Sequence, residues 1–323
     1  MRIRYYYLFF GLLVLLIGAV WWFGRAPQKL RVDIVGTGPE GLTFKLIKDR
    51  GFDKAQGLDL EVVAESSPAE VERRLRDNEI DVGIFPPISA AKEREKGKPV
   101  SFFIPLFRNP VVLLAPFDSP YSSVQDLKGK KIATFAKITS LYLTSEAVLR
   151  KSYGLSLETD FKLVVATDFA ELARLLKTGE VDGVLALSIT APIRKLVVNK
   201  EAKIIQSMEK AWEDTGHTMP FSGISAREEW LKKNNGAGVK LARAVYEANR
   251  AIKAEPEKII REYSDFLSIE TEAERSFMVA NLPPLYFDVF DESLLGDLNF
   301  LFQEIRNLGL IKELKEGVVV KLE

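Results

Sequence analysis

Hydroxyl groups set in short loops ahead of helical stretches are the most visible chemistry in this chain. Four such loops can be read, at residues 36–41, 85–90, 137–141 and 187–192. They carry the hydroxyls of Thr37, Ser89, Thr139, Ser140, Ser188 and Thr190, the conformation-setting Gly38, Pro39 and Pro86, and apolar walls that include Phe85, Tyr142 and Ile189. Lys137 and Glu40 are the formal charges among them, with Arg108 near the rim. Hydroxyls and helix-initial N–H groups can hold a small polar group. A helix N-terminus contributes about 0.3–1 kcal/mol toward an anion, whereas burying one aromatic or aliphatic group contributes about 1.5–3 kcal/mol. Apolar contact therefore dominates, and the expected ligand is a small, mostly neutral or singly anionic molecule with a flat or aliphatic body. The candidate contacts are Thr37, Gly38, Pro39, Phe85, Pro86, Ser89, Lys137, Thr139, Ser140, Ser188, Ile189 and Thr190. Each hydroxyl also suits a plain helix cap.

Other chemistries are closed off by composition. The 323 residues contain no Cys and one His, His217. Thiolate nucleophiles, disulfides, Cys-ligated metals and lipoprotein anchors need the first, and triads or poly-His metal sites need more of the second. No cofactor and no metal is expected. Lys and Arg number 45 against 45 Asp and Glu, without the basic excess that a nucleic-acid partner asks for. With 47% hydrophobic residues the chain is globular.

The elements that must position those loops come in two similar sets. At an offset of 101, EVVAESSPAEVERRLRDNEIDVGIF (61–85) lies without gaps on KLVVATDFAELARLLKTGEVDGVLA (162–186). Glu70/Glu171, Arg73/Arg174, Glu79/Glu180 and Asp81/Asp182 are among the identities. Carried backwards, the same offset sets residues 30–35 on 131–136. Each half reads strand, helix, strand, helix, strand, the alternation of an α/β fold. Ligands of open α/β sheets sit beyond the carboxyl ends of the strands, so two lobes facing each other would bring all four loops to one cleft. After residue 222 the pattern turns helical, at 228–233, 239–253, 257–266, 270–280 and 292–308, with a last strand at 318–320.

The N-terminus is different in kind. Residues 5–23 form an uncharged run of 19 that would extend about 28 Å as a helix, enough to span a bilayer. Aromatic residues stand at both its ends, and Arg2 and Arg4 precede it. Residues 1–29 hold four basic side chains and no acid, leaving 41 basic against 45 acidic in a mildly acidic body. The expected organisation is a signal-anchor or signal peptide at 1–29, lobe 1 with the C-terminal helices at 30–115 plus 220–323, and lobe 2 at 116–219. The chain is expected to cross between lobes near Val111–Pro116 and to return near 217–222.

The ordered set DLKGKKIATF (126–135), GEVDGVLALSITAPI (179–193), EIDVGIFPPISA (79–90), FSGISAREEWLKKN (221–234) and ANRAIKAEPEKI (248–259) resembles the NMT1/THI5-like family. This is the nitrate, sulfonate, taurine and thiamine-precursor type of periplasmic substrate-binding protein. The resemblance covers roughly residues 30–265. It implies a type II binding fold and an ABC importer's solute-capturing subunit, monomeric and extracytoplasmic, either membrane-anchored through the N-terminal helix or secreted. Such a subunit closes over a small molecule and presents it to permease subunits. The loops AKITS and LSITAP depart from the family's usual small and aromatic-plus-acid sequences, so its substrates do not carry over. The Cys-rich, His-bearing site of the family's yeast synthases is missing. A binding-protein-like enzyme, for which Glu40, Lys137 and Tyr142 are the candidate acids and bases, and a membrane-anchored sensory protein are the alternatives.

Overall fold

The computed structural model describes residues 26–35, 38–65, 68–137 and 139–322. The membrane-spanning run expected at 5–23 and the candidate contact Thr37 lie outside these. Among the described residues no helix is long and apolar enough to cross a membrane.

The first sheet and its cover are built from β1 (Gln28–Val35), α1 (Pro39–Arg50), a short α2 (Phe52–Ala55), β2 (Leu58–Glu65), α3 (Pro68–Arg76), β3 (Val82–Ile84), α4 (Pro87–Glu95) and β4 (Val100–Arg108). The second takes β5 (Val111–Pro116), β6 (Lys131–Thr134), α5 (Ser140–Tyr153), α6 (Leu157–Asp160), β7 (Lys162–Val165), α7 (Phe169–Lys177), β8 (Gly183–Leu187), α8 (Ala191–Val198), β9 (Ala202–Ser207) and α9 (Met208–Glu213). The chain then returns through β10 (Pro220–Arg227) into α10 (Glu228–Ala254), α11 (Pro256–Glu262), α12 (Glu272–Asn281) and α13 (Glu292–Asn307). Strand orders are β2-β1-β3-β10-β4 and β7-β6-β8-β5-β9. Each sheet is thus a parallel trio followed by an antiparallel strand that the chain enters just after crossing over.

The repeated residues do the same work in both halves. An Asp81 carboxylate oxygen accepts from the Arg31 N–H at 2.8 Å, and one of Asp182 accepts from the Lys131 N–H at 2.9 Å, fastening the approach to the third parallel strand onto the first. Arg73 pairs with Glu79 at 2.6 Å and Arg174 with Glu180 at 2.5 Å, closing each helix onto the turn behind it. Arg31 thus corresponds to Lys131, so the gapless offset of 101 becomes 100 in the leading strands. The second half has one more residue between the paired strands than the first.

Two placements differ from the sequence reading. Val111–Pro116, expected as the crossing and counted largely with lobe 1, is β5, hydrogen-bonded between β8 and β9 of the second sheet. The crossing itself is Asn109–Pro110, because five consecutive buried residues at 111–115 fit the middle of a sheet and not an exposed connection. The C-terminal helices do not belong to lobe 1 alone. Lys151 of α5 pairs with Glu304 of α13 at 2.9 Å, Arg150 donates to the Leu308 carbonyl at 2.8 Å, and Trp212 of α9 meets Phe300 edge-on. The expected helices at 228–233 and 239–253 are the two arms of α10, separated by a kink at Asn234 where the backbone is non-helical. The expected last strand is a bridge in which Val318 accepts from Phe102 and Val320 donates back to it.

The crossing strand β10 is threaded tightly. A Cβ on Gly223 would stand 2.3 Å from the Ile104 carbonyl oxygen and 2.4 Å from the Phe102 ring. Gly223→Ala is expected to lower the unfolding free energy by about 1–3 kcal/mol through overpacking, measured by urea titration. Unchanged stability would mean that β10 and β4 are not packed this closely.

Candidate functional site

The loops after β1, β3, β6 and β8 open at the carboxyl ends of their sheets, and three direct observations bring the two lobes together there. Ser89 Oγ, in the first turn of α4, lies 3.3 Å from Ser140 Oγ at the start of α5. Ile189, from the loop after β8, is 3% exposed and packs into the core of the first sheet. The cluster holding Phe85 and Ile88 continues through Leu141, Tyr142 and Leu143 of the second lobe.

The other predicted contacts fall into distinct roles. Gly38 precedes α1 and Pro39 opens it, with the Pro39 carbonyl accepting from the Tyr286 hydroxyl at 2.5 Å. Pro86 is the residue before α4. Phe85 is a core residue whose N–H donates to the Gly223 carbonyl at 2.8 Å. Thr139 caps α5, accepting from the Tyr142 N–H at 3.3 Å and donating to the Ala136 carbonyl at 2.8 Å. Thr190 precedes α8 and donates to the Leu187 carbonyl at 2.9 Å. Ser188 reaches the crossing itself, its N–H 3.2 Å and its hydroxyl 3.4 Å from the Pro110 carbonyl. Lys137 turns to the surface and pairs with Glu158. Tyr142 is buried, and burial pushes its phenol up to about 12, aided by Glu146 and Glu158.

Three further buried or half-buried polar residues stand beside these loops. Glu40 is half-buried in the first turn of α1. Burial lifts its carboxyl above the usual range, opposed by the Ser222 hydroxyl that faces it. Ser222 is 1% exposed at the start of β10, and apart from facing Glu40 its hydroxyl makes no hydrogen bond among the described residues. Glu40 was legible as one of two loop charges. Ser222 carried no signal, because only the antiparallel return of β10, which pairs it with Phe107, brings it beside Glu40. Arg194 of α8 is 0% exposed: it pairs with Glu274 of α12 at 2.8 Å and donates to the carbonyls of Ile189, Leu267 and Ser268. That one guanidinium therefore ties the loop after β8 to the C-terminal helices.

The crossings carry a polar cluster of their own. The Asn109 N–H donates to Glu209 at 3.3 Å and the Asn109 amide contacts the Met219 sulfur at 3.0 Å. Arg108 stands 3.8 Å from Glu209, 3.9 Å from Glu213 and over the Phe287 ring. Burial pushes the Glu209 carboxyl up to about 8, against the pull of Arg108 and with the repulsion of Glu213. His217 is half-buried, 2.8 Å from Asp297 and stacked on Phe300 at 3.9 Å.

This geometry agrees with what the chain is similar to. The profile described as NMT1/THI5 like matches residues 44–259. The 4-amino-5-hydroxymethyl-2-methylpyrimidine phosphate synthase THI12 of Saccharomyces cerevisiae is 23% identical over 236 residues, 71% of this chain and 68% of its own length. Among solved structures, the periplasmic aliphatic sulphonate binding protein SsuA from Escherichia coli superposes with a TM-score of 0.73 at 17% identity, over 92% of this chain and 94% of that one. The alkanesulfonate-binding protein SsuA from Xanthomonas axonopodis pv. citri does so with 0.72 at 18% identity, over 92% and 99%. With two sheets of matching strand order, loops meeting at their carboxyl ends and a family profile over most of its length, the chain belongs to the NMT1/THI5-like family and has the periplasmic binding protein fold.

Proposed function

We propose that this protein is the extracytoplasmic solute-binding subunit of an ABC-type importer, which captures a small organic molecule between its lobes and delivers it to a permease. The observation that carries this reading is the meeting of loops from both sheets, with Ser89 and Ser140 at 3.3 Å across the junction. A ligand held by both jaws favours the closed form by its differential contacts, and a ligand held by one jaw would shift nothing. The lobes are residues 26–108 with 220 onward, and 111–213, with the C-terminal helices bracing both. The hinges are Asn109–Pro110 and the residues after α9, where backbone angles can change without breaking a sheet. Tyr142, Lys137 and Glu40 remain the acids and bases of an enzymatic reading. Two of them are already engaged, Lys137 in an ion pair and Tyr142 in the core.

Ser140→Trp places an indole where the jaws meet. The variant is expected to fold normally by circular dichroism and to lose at least about tenfold in affinity for any compound that stabilises the wild-type chain, measured by thermal shift against a small-molecule extract of the host cells. Undiminished stabilisation of the variant would put the ligand elsewhere.

A further inference from the structure

The four loops carry two formal charges, and the fold leaves one of them unmatched. Lys137 is spent on Glu158 at the exposed surface. Glu40, by contrast, is half-buried in the first turn of α1, at the carboxyl end of the first sheet, and no cation pairs with it among the described residues. Beside it the buried Ser222 hydroxyl faces the carboxyl and makes no hydrogen bond to any other group among the described residues. The nearby Tyr286 hydroxyl cannot donate to either of them, because its one proton is already given to the Pro39 carbonyl. A carboxylate withdrawn from water next to an unused hydroxyl lacks a positive charge and N–H donors. An anionic group at this place would meet like charge with only a hydroxyl to offset its own desolvation.

Resting on the binding reading above, we infer that the captured molecule presents a protonated nitrogen group, of amidinium or guanidinium kind, to the Glu40 carboxylate, with the Ser222 hydroxyl as a second acceptor. The apolar walls of the junction take the remainder of the molecule. The neutral or singly anionic ligand expected from the loop sequences is thereby replaced by one with a positive end.

Benzamidinium, benzamide and benzoate share a shape and differ in charge, so they serve as probes in thermal unfolding of the full chain held in mild detergent. Benzamidinium should raise the unfolding temperature more than benzamide, and benzoate least. Glu40→Gln should weaken benzamidinium binding by about tenfold or more while leaving benzamide within about twofold. Ser222→Ala should weaken benzamidinium by about threefold, and it keeps the test open where Glu40→Gln fails to fold. The inference is overturned if benzoate or benzamide binds as tightly as benzamidinium, if benzamidinium produces no shift, or if its binding ignores both variants. Binding of another probe in those cases leaves the solute-binding reading standing. That reading fails separately if no small molecule of any charge, in a whole-cell extract, stabilises the chain.

Discussion

Arg194→Met is expected to lower the unfolding free energy by about 3–5 kcal/mol. The substitution leaves Glu274, 3% exposed, with its charge unpaired inside the protein. It also frees the carbonyls of Ile189, Leu267 and Ser268 that the guanidinium now engages. Breaking a buried pair from one side is more damaging than removing it, so the double variant Arg194→Met with Glu274→Leu should recover much of the loss. Urea unfolding of the two variants and the wild type measures both effects. A loss below about 1 kcal/mol in the single variant would mean that α8 and α12 are not joined through a desolvated pair.

The second large effect is a pH dependence centred on the crossings. The Glu209 carboxyl, buried and pushed up to about 8, holds its proton in the folded chain over a range where the unfolded chain has released it. The unfolded value is about 4.3. Between there and about 8 the folded state binds more protons, so stability falls as pH rises, by up to about 1.4 kcal/mol per pH unit from this group, and then levels off. Arg108, at 3.8 Å, moderates the shift, and Glu213 adds to it. Glu209→Gln mimics the protonated form at every pH. Its stability profile should therefore lack this descending limb, and the variant should be the more stable protein above pH about 8. Parallel profiles for variant and wild type in urea titrations across this range would remove Glu209 as the titrating group.

These two sites also mark where sequence reading ends. The paired lobes were legible because their signals are local: a parallel strand buried on both faces reads as an apolar run, and the repeated Arg73–Glu79 and Arg174–Glu180 pairs stand six residues apart. Arg194 and Glu274 are 80 residues apart on two helices that read as ordinary amphipathic segments, so nothing in either marks a buried ion pair. The membership of β5 was hidden for a similar reason. It sits in the second sheet by antiparallel pairing with β8 and β9, and those partners lie far down the chain. In the candidate site, loop position identified Ser89 and Ser140, which do meet, and Lys137, which turns away. Ser222 needed the return strand to be seen beside Glu40.

Whether the two lobes hold a small molecule and release it unaltered is decided by native mass spectrometry of the full chain released from detergent, with the bound species identified before and after incubation. One small organic molecule per chain is expected, of the same mass and structure at both times and absent from the Ser140→Trp variant. A bound molecule converted to a different compound on incubation, or one retained equally by the variant, would contradict it.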